Sequence, residues 1–597
     1  MKLSDYIFKK LVEHQINQVF LVTGGGAMHL NDSIKSNKDL NYLCNHNEQA
    51  SAMAAEGYAR VSNKPAITCV TSGPGAINAL NGVFGAYTDS IPMIIISGQS
   101  KMSTYKNNYP NLAGLRQLGD QEVDIISMAK KITKYSKTIL DPNEIRFELE
   151  KAIFLCQDGR PGPVWLDIPV DIQSSIVDET KLSSYNYKKH KISASNLELD
   201  SVYNKILKSS RPIVLVSNGI NISKANEALR NFLDYTKIPL ATAWAHDVIE
   251  HSHPSYIGKQ GSIGDRSGNF SVQNADLVII IGSRMPIRQV SYNWENFAKS
   301  AYIIQVDIDE NELKKPTLKI DLPIVSDAKI FIKKLTTILE DDKSFPLNKH
   351  VEWLEWCKIR RKKYPVLQNH HCDKTKPLNP YFFISKLLEN IGDNDIISCA
   401  DATACIVAFQ TSNLKRDQKL FSNSGSASMG YGLPAAIGAA TADKNRQVIC
   451  LCGDGSIQMN IQELQTVLTN KLNIKIFVLS NGGYLSIKLT QKGFFNRSIG
   501  NGQDKDLEFP DMIKIAKAYG FKTFSFHNHE FEKSLKAILS LDGPVLINVD
   551  LDPNQGFEPK LSSRKLENGT LISSPLEDMS PFLDRDELNS NMIFKNE

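Results

Sequence analysis

QVICLCGDGSIQMNIQELQTVLTNKLNIKIFVLSN, residues 447–481, holds two apolar runs of strand length, 447–452 and 474–480, with a stretch of helical character, 459–470, between them. The first run ends in Gly453, Asp454, Gly455 and Ser456, and the second ends at Asn481, 27 residues after Asp454. A strand–helix–strand crossover takes at least about 10–12 residues and commonly about 30. The spacing therefore predicts two neighbouring parallel strands with Asp454 and Asn481 at their carboxyl ends, where open α/β sheets bind ligands. Alone, Gly-Asp-Gly reads as a β-turn with an aspartate N-cap; Ser-Asn-Gly-Gly at crossover distance changes that reading. Magnesium takes hard oxygen ligands, a few from protein and the rest from phosphate and water. Asp454 offers a charged oxygen and Asn481 a neutral one. Gly482 and Gly483 allow a tight turn that frees a main-chain carbonyl, that of Gly483, as a third ligand. The N–H groups of Gly455 and Ser456 lie near a helix start and suit phosphate oxygens.

The same alternation of apolar strand and helical stretch extends outward in both directions. Strand-like runs occur at 18–22, 66–70, 92–98 and 163–169, then at 212–219, 277–283 and 302–309, then at 395–401, 447–455, 474–481 and 544–552. Alternation of this kind predicts an α/β fold with doubly wound parallel sheets. Three domains are expected, at 1–172, 199–340 and 376–552, and the length fits three or four at about 150 residues each. Two polar stretches, 175–195 and 340–350, read as linkers, the second continuing into the charge-rich helical stretch 351–363. Residues 553–597 lose periodicity and read as a tail, although PLEDMSPFL, 575–583, has enough apolar residues to dock as a flap. The first and third segments match in size and order of elements, and two such sheets invite a site between them.

Bulk properties exclude several classes. The chain of 597 residues is 42% apolar, with 69 basic against 65 acidic side chains and a net charge of +4. That balance points to neither a nucleic-acid nor a membrane partner. No run of 18 apolar residues occurs, and MKLSDYIFKKLVEHQI at the start reads as an amphipathic helix with mixed charges, not as a signal peptide. The nine cysteines show no disulfide or metal-ligand framework, which fits reduced thiols in a cytoplasmic protein.

Gly-Asp-Gly-Ser followed after about 27 residues by Asn is the signature of thiamine-diphosphate enzymes. The flanking SGSASMGYGLPAAIGAA, 424–440, and GDGSIQMNIQELQTV, 453–467, resemble the acetolactate synthase and pyruvate oxidase branch of that family. The resemblance covers about 550 residues in all three segments. It implies thiamine diphosphate and Mg²⁺ as cofactors, with pyrimidine, central and diphosphate domains.

NHNEQASAMAAEGYAR, 45–60, resembles the family's activating-glutamate helix. By that match Glu48 hydrogen-bonds the pyrimidine ring and activates the thiazolium. A carboxyl at an apolar helix start has its proton affinity raised by desolvation, which suits the role. Glu56, eight residues on, is assigned to packing. TSGPGAIN, 71–78, matches a pyrimidine-binding segment, with Pro74 and Asn78 beside the cofactor. QLGDQEVDI, 117–125, resembles a loop that brings a glutamine, here Gln121, to the active site, with Asp120 where acetolactate synthases have Phe. TGGGAMHL, 23–30, is expected to face the thiazolium through Gly25 and Gly26; His29 reads equally as an acid or base for the acceptor and as a structural histidine. In the third segment Met429 matches the apolar wedge under the cofactor, and the Ala427 carbonyl matches the acceptor for its amino group. Ala404 and Cys405, with Thr403, align with a diphosphate-contacting turn. Tyr484 and Leu485 follow the metal-binding asparagine.

The match departs on the acceptor side. Leu485, Ser486 and Thr490 stand where acetolactate synthases carry Met and Trp around the second keto acid. This implies a larger or more polar pocket. DIPVD, 167–171, lacks a Lys found in that family. The central segment, with DLVIIIGSRMPIRQV at 276–290 and QVDIDENEL at 305–313, resembles an FAD-binding domain without its usual acidic pair. FAD binding and a purely structural domain both stay open. The resemblance implies decarboxylation of a 2-keto acid, pyruvate first, and transfer of the acyl carbanion to an acceptor carbonyl such as a second keto acid or a keto-sugar nucleotide. Simple decarboxylation, acyl transfer to phosphate or CoA, and ring cleavage are the alternatives. It also implies a homodimer or homotetramer with Glu48 and Asp454 meeting across the subunit interface.

Overall fold

The apolar runs form the central strands of three six-stranded sheets, described by a computed structural model for residues 1–112, 114–187, 192–502, 506–565 and 571–594. The first sheet holds β1 (Gln18–Leu21), β2 (Asn41–Cys44), β3 (Ala66–Val70), β4 (Met93–Gln99), β5 (Tyr135–Thr138) and β6 (Pro163–Pro169), in the order β2-β1-β3-β4-β6-β5. The second holds β7 (Pro212–Val216), β8 (Leu240–Thr242), β9 (Tyr256–Lys259), β10 (Leu277–Ile281), β11 (Tyr302–Asp307) and β12 (Leu322–Val325), in the order β12-β11-β10-β7-β8-β9. The third holds β13 (Ile396–Cys399), β14 (Lys419–Phe421), β15 (Val448–Gly453), β16 (Ile474–Ser480), β17 (Lys522–Phe526) and β18 (Val545–Asp550), in the order β14-β13-β15-β16-β18-β17. The central pairs are parallel, with register Val448↔Ile474 through Gly453↔Leu479 between β15 and β16. Strands buried on both faces read as continuous apolar runs, as in LVIII of β10.

Each sheet reverses its strand order at a central pair, between β1 and β3, between β7 and β10, and between β13 and β15, and the first and third reverse again at the edge strands β5 and β17. Such switch points open a crevice at the carboxyl ends of the strands. The loops 23–26 and 71–75 leave the first of these, and the loops 400–403 and 453–456 leave the third.

The chain divides into two compact units, one of Met1–Lys189, Asp395–Cys405 and Phe421–Leu551, the other of His190–Asn394, Ile406–Leu420 and Asp552–Glu597. The first unit contains the first sheet and the site-bearing strands of the third. Its helix Glu48–Ser62 packs against the helix Gly432–Ala442 through small residues. A Cβ on Gly57 would lie 2.2 Å from the Ala435 carbonyl oxygen, and one on Gly438 would lie 1.9 Å from that of Ala54.

In the second unit, two elements read from sequence as surface segments are built in. The helix Val351–Lys363 buries Trp353, Leu354 and Cys357 on one face, and Trp353 Nε1 donates to the Pro212 carbonyl. Arg361 of the same helix donates to the Tyr256 and His251 carbonyls and Arg360 lies over the Trp356 ring, so a linker reading gives way to a packed helix whose charges take part in the docking. Residues 552–565 and 571–594 are docked, not a free tail. Leu576 joins the core beside Trp353, Met579 is fully buried, Gln273 donates to Glu577, and Arg266 donates to the Met579 carbonyl. Glu558 closes the segment onto the unit, accepting from His370 Nε2 at 2.7 Å, His371 Nε2 at 2.5 Å and Gln555 Nε2 at 2.9 Å. The Nδ1 atom of His371 accepts the Gln368 N–H, which leaves the proton on Nε2. The three side chains thus form a hydrogen-bonded clasp. Of the polar stretch 175–195, residues 188–191 lie outside the described residues.

None of the nine cysteines, all among the described residues, forms a disulfide, and all but Cys44 and Cys372 are buried. Among the described residues no helix is long and apolar enough to cross a membrane.

Candidate active site

Asp454 follows β15 and Asn481 follows the adjacent β16. Asp454 Oδ2 accepts the N–H groups of Asn481, Gly482 and Gly483 at 3.2, 3.0 and 3.1 Å, and Oδ1 accepts that of Gly455 at 2.8 Å. Burial pushes this carboxyl up and the four N–H groups pull it back, leaving it at about 6. The turn needs its glycines. Gly482 and Gly483 have φ of +76° and +127°, and a Cβ on Gly483 would lie 2.2 Å from the Asn501 carbonyl oxygen. Asn481 Nδ2 donates to Thr403 Oγ1 at 3.3 Å, which aims its carbonyl oxygen the other way. Ala404 and Cys405, next to Thr403, are buried.

One difference from the sequence reading concerns the phosphate-binding N–H groups. That of Gly455 is engaged by Asp454, and the Ser456 hydroxyl accepts the N–H of Gly430 at 2.9 Å. Ser456 thereby ties the strand end to the turn that carries Ala427 and Met429. In that turn Ala427 has φ +54° and its N–H bonds the Asn423 carbonyl. Ala427 is exposed and Met429 half-buried.

Four segments converge at the carboxyl edge of the first sheet. Gly26 N–H donates to Thr71 Oγ1 at 3.1 Å, and Gln173 donates to the Gly26 carbonyl at 2.7 Å. Glu48 opens its helix beyond β2, and its Oε2 accepts from Asn78 Nδ2 at 3.0 Å. Gly75 admits this carboxylate, since a Cβ there would lie 3.0 Å from Glu48 Oε1. Gly73, at φ +59°, admits the backbone of Gln121, whose carbonyl oxygen would lie 2.2 Å from a Cβ. Pro74 is the first residue of the following helix and, like Gln121 and Gly25, is exposed; His29 is half-buried on the helix Met28–Ser36. Glu48 is half-buried, and the fully buried carboxyl of its helix is Glu56, which burial pushes up to about 7.

Several supporting residues carried no sequence signal. Glu463 is fully buried and accepts from Asn45 Nδ2, the His46 N–H and Thr466 Oγ1 at 2.8, 2.9 and 2.7 Å, which fixes the turn immediately before Glu48. Glu122 accepts the N–H groups of Lys106, Leu118 and Gly119 and holds the Gln121 loop. Gln99 donates to the Val123 carbonyl and to the buried Asp167, fixing the other end of that loop. Buried carboxylates of this kind are invisible without the loops that they bind.

The donor set fits a magnesium–diphosphate group. It offers a carboxylate, a side-chain amide and a glycine carbonyl, all hard oxygens, with no thiolate or imidazole among them. A Cβ on Gly453 or on Gly482 would meet no atom within 4 Å, so there is open space beside both strand ends.

Three parallel sheets, each with a switch point, and a carboxylate and an amide at adjacent strand ends of one of them have the frame of a cofactor enzyme of the α/β class. Comparison with known proteins gives the class its name. Thiamine pyrophosphate enzyme domains match at three places: the N-terminal TPP binding domain over residues 1–128, the central domain over 199–335 and the C-terminal TPP binding domain over 402–549. The acetolactate synthase large subunit of Cyanidium caldarium is 31% identical over 572 residues, 93% of this chain and 94% of that protein. The isozyme 2 large subunit of Escherichia coli K12 is 30% identical over 562 residues, 93% and 96% of the two chains. Acetolactate synthase 2 of Nicotiana tabacum, a chloroplastic protein, is 29% identical over 578 residues, 94% and 83%. The chain belongs to the thiamine pyrophosphate enzyme family, alongside the acetolactate synthase large subunits. It is a thiamine-diphosphate-dependent enzyme that forms carbon–carbon bonds.

Proposed function

We propose that the chain decarboxylates a 2-keto acid, pyruvate first, and joins the acyl group to an acceptor carbonyl larger than a second small keto acid, such as a keto-sugar nucleotide. When bound, thiamine diphosphate supplies the electron sink for the decarboxylation. Asp454, Asn481 and the Gly483 carbonyl would hold Mg²⁺, which would supply positive charge to anchor the diphosphate. The observation that carries this reading is the pair Asp454 and Asn481 at adjacent strand ends, with four N–H groups setting the carboxylate. Glu48 holds a proton toward the pyrimidine ring, with Asn78 orienting its carboxylate. Ala427 and Met429 support the ring from the other side. Gln121 and His29 border the acceptor.

The larger acceptor is supported by the surface beyond the metal site. The helix Leu485–Phe495 buries Leu485 but leaves Ile487, Thr490, Phe494 and Phe495 exposed, and Asp120 is exposed as well. A dimer is supported by the helix Pro74–Asp89, which exposes Ile77, Phe84 and Tyr87 next to Asn78 and so next to Glu48. The free thiols suit a cytoplasmic setting. For FAD, the support is the switch point between β7 and β10. There the loops at Gly219 and Gly282 touch backbone to backbone, the Gly219 N–H donating to the Gly282 carbonyl at 3.0 Å. Flavin absorption by the purified protein supports that reading, and a colourless protein that releases no flavin on denaturation overturns it.

The deciding experiment follows CO₂ release from pyruvate with thiamine diphosphate and Mg²⁺, with and without candidate acceptors. Stimulation by a keto-sugar nucleotide supports the reading. Stimulation by a second keto acid alone overturns the acceptor assignment, and no consumption of pyruvate with any acceptor overturns the donor.

A further inference from the structure

Behind the turn that carries Ala427 and Met429 lies a buried ion cluster. Glu56 and Arg60 sit one turn apart on the helix that begins at Glu48, and Asp89 ends the helix that begins at Pro74. Arg60 Nη2 lies 2.5 Å from Glu56 Oε1 and 2.7 Å from Asp89 Oδ2. The second oxygen of Asp89, Oδ1, accepts the N–H of Gly425 at 3.0 Å. Only glycine fits there: a Cβ would lie 2.6 Å from that oxygen and 2.8 Å from Thr88 Oγ1.

Three more contacts join the same two helices to the same segment. Ser428 Oγ donates to Asn81 Oδ1 at 2.7 Å, and Tyr431 donates its hydroxyl to Glu56 Oε1 at 3.3 Å. The Arg60 guanidinium lies 5.7 Å from the centre of the Phe421 ring. The segment 421–431 is thus held at Phe421, Gly425, Ser428 and Tyr431, with Ala427 in the middle of the span.

Buried ion clusters are costly to desolvate and often yield to apolar residues without loss of stability. This one supplies direction. It converts the rigid ends of two helices into a fixed position for one backbone N–H, two residues before Ala427. We propose that Asp89 is a positioning residue for the cofactor, setting the Ala427 carbonyl and Met429 through the Gly425 N–H, and that Arg60 and Glu56 hold Asp89 in place. The proposal rests on the reading of segment 424–429 as the one that receives the pyrimidine ring.

The test is equilibrium binding of two probes, thiamine diphosphate and inorganic pyrophosphate, each with Mg²⁺. Asp89→Ala should weaken thiamine diphosphate binding about ten- to a hundredfold, the loss of one hydrogen bond to a charged group. It should leave pyrophosphate affinity within about twofold, because the Asp454 anchor is a separate site. Asp89→Asn keeps an oxygen for Gly425 and should recover most of the cofactor affinity. Gly425→Ala retains all three charged side chains, separates the turn from Asp89 by the added Cβ and should show the same split between the two probes, which covers the case of a poorly folded Asp89→Ala. Unchanged cofactor affinity in Asp89→Ala and Gly425→Ala overturns the proposal, as does an equal loss of both probes. Asp454→Asn should lose both probes. If it keeps both, the reading of the site fails, and that result is separate from any outcome at Asp89.

Discussion

A Cβ on Gly455 would lie 2.1 Å from Cε1 of Tyr484, so the ring of Tyr484 fills the space that any other residue at 455 would need. Tyr484 follows Gly483, and its own N–H bonds the Asn501 carbonyl at 3.0 Å. Gly455→Ala therefore displaces the ring and drags the 481–483 turn with it. Overpacking of this kind costs about 1–3 kcal/mol, and cofactor affinity should fall about tenfold or more. Gly453→Ala is the informative control. Its Cβ points into open space, so thermal stability should hold, and any loss of cofactor affinity would mark that space as occupied by the ligand. Equal affinity for Gly455→Ala and wild type would contradict the account of the turn.

The Asp454 carboxyl sits at about 6, and only its ionised form binds a cation. Mg²⁺-dependent cofactor binding should therefore be level above about pH 6 and fall below it, by roughly tenfold per pH unit as a proton competes for the same oxygens. In the cofactor-free protein the sign is opposite. A carboxyl raised on folding favours the protonated folded state, so Asp454 destabilises the fold as pH rises from the ordinary carboxylate range through about 6. Calorimetric titrations between pH 5 and 7.5 check the first statement; an affinity flat across that range would refute it.

Glu48→Gln keeps an oxygen to accept from Asn78 and removes the carboxyl. Cofactor affinity should change little, while turnover should drop about 10²- to 10⁴-fold, the usual contribution of a positioned acid–base group. Full turnover in that variant would remove Glu48 from its role. Asn78→Ala should give a smaller loss, because the carboxylate remains but is less well aimed.

Glu558 is held down at about 2. Burial alone would raise it, but hydrogen bonds from His371, His370 and Gln555 outweigh that effect. A carboxyl lowered on folding stabilises above its ordinary pKa and loses that contribution as pH falls through the folded value. The attachment of residues 552–565 should thus weaken as pH drops from about 4.5 toward 2. At neutral pH, Glu558→Gln should lower stability by about 1–3 kcal/mol and speed proteolysis of the carboxyl-terminal segment first. Identical proteolysis kinetics in the variant and wild type would argue against the clasp.

The central strands were legible because burial on both faces makes them apolar throughout, as in β4, β10 and β16. The strands that escaped are edge or short strands. β2, β12 and β17 are largely exposed along one side, and YSKT of β5 is polar because half of it meets solvent. The site divided in the same way. Asp454 and Asn481 are marked by their spacing in one crossover, and Glu48 by a local motif. Glu463 and Asp89 act on backbone groups far off in the chain, and one sequence carries no trace of such pairings; Glu122 closes its own irregular loop, which no periodicity marks. The helix Val351–Lys363 was misjudged because its charges outnumber the few residues that anchor it.

The docking of residues 571–594 has a consequence for how the protein is made. Leu576 completes a core laid down by strands β7 to β11, Met579 is fully buried, and Gln273 and Asn274 gain Glu577 and Asn591 beside the partners that they already have nearer in the chain. A ribosome delivers these residues after every strand of the three sheets. The unit that holds the second sheet therefore keeps part of its apolar core uncovered until residues 571–594 have emerged, and this interval is when it most needs a chaperone.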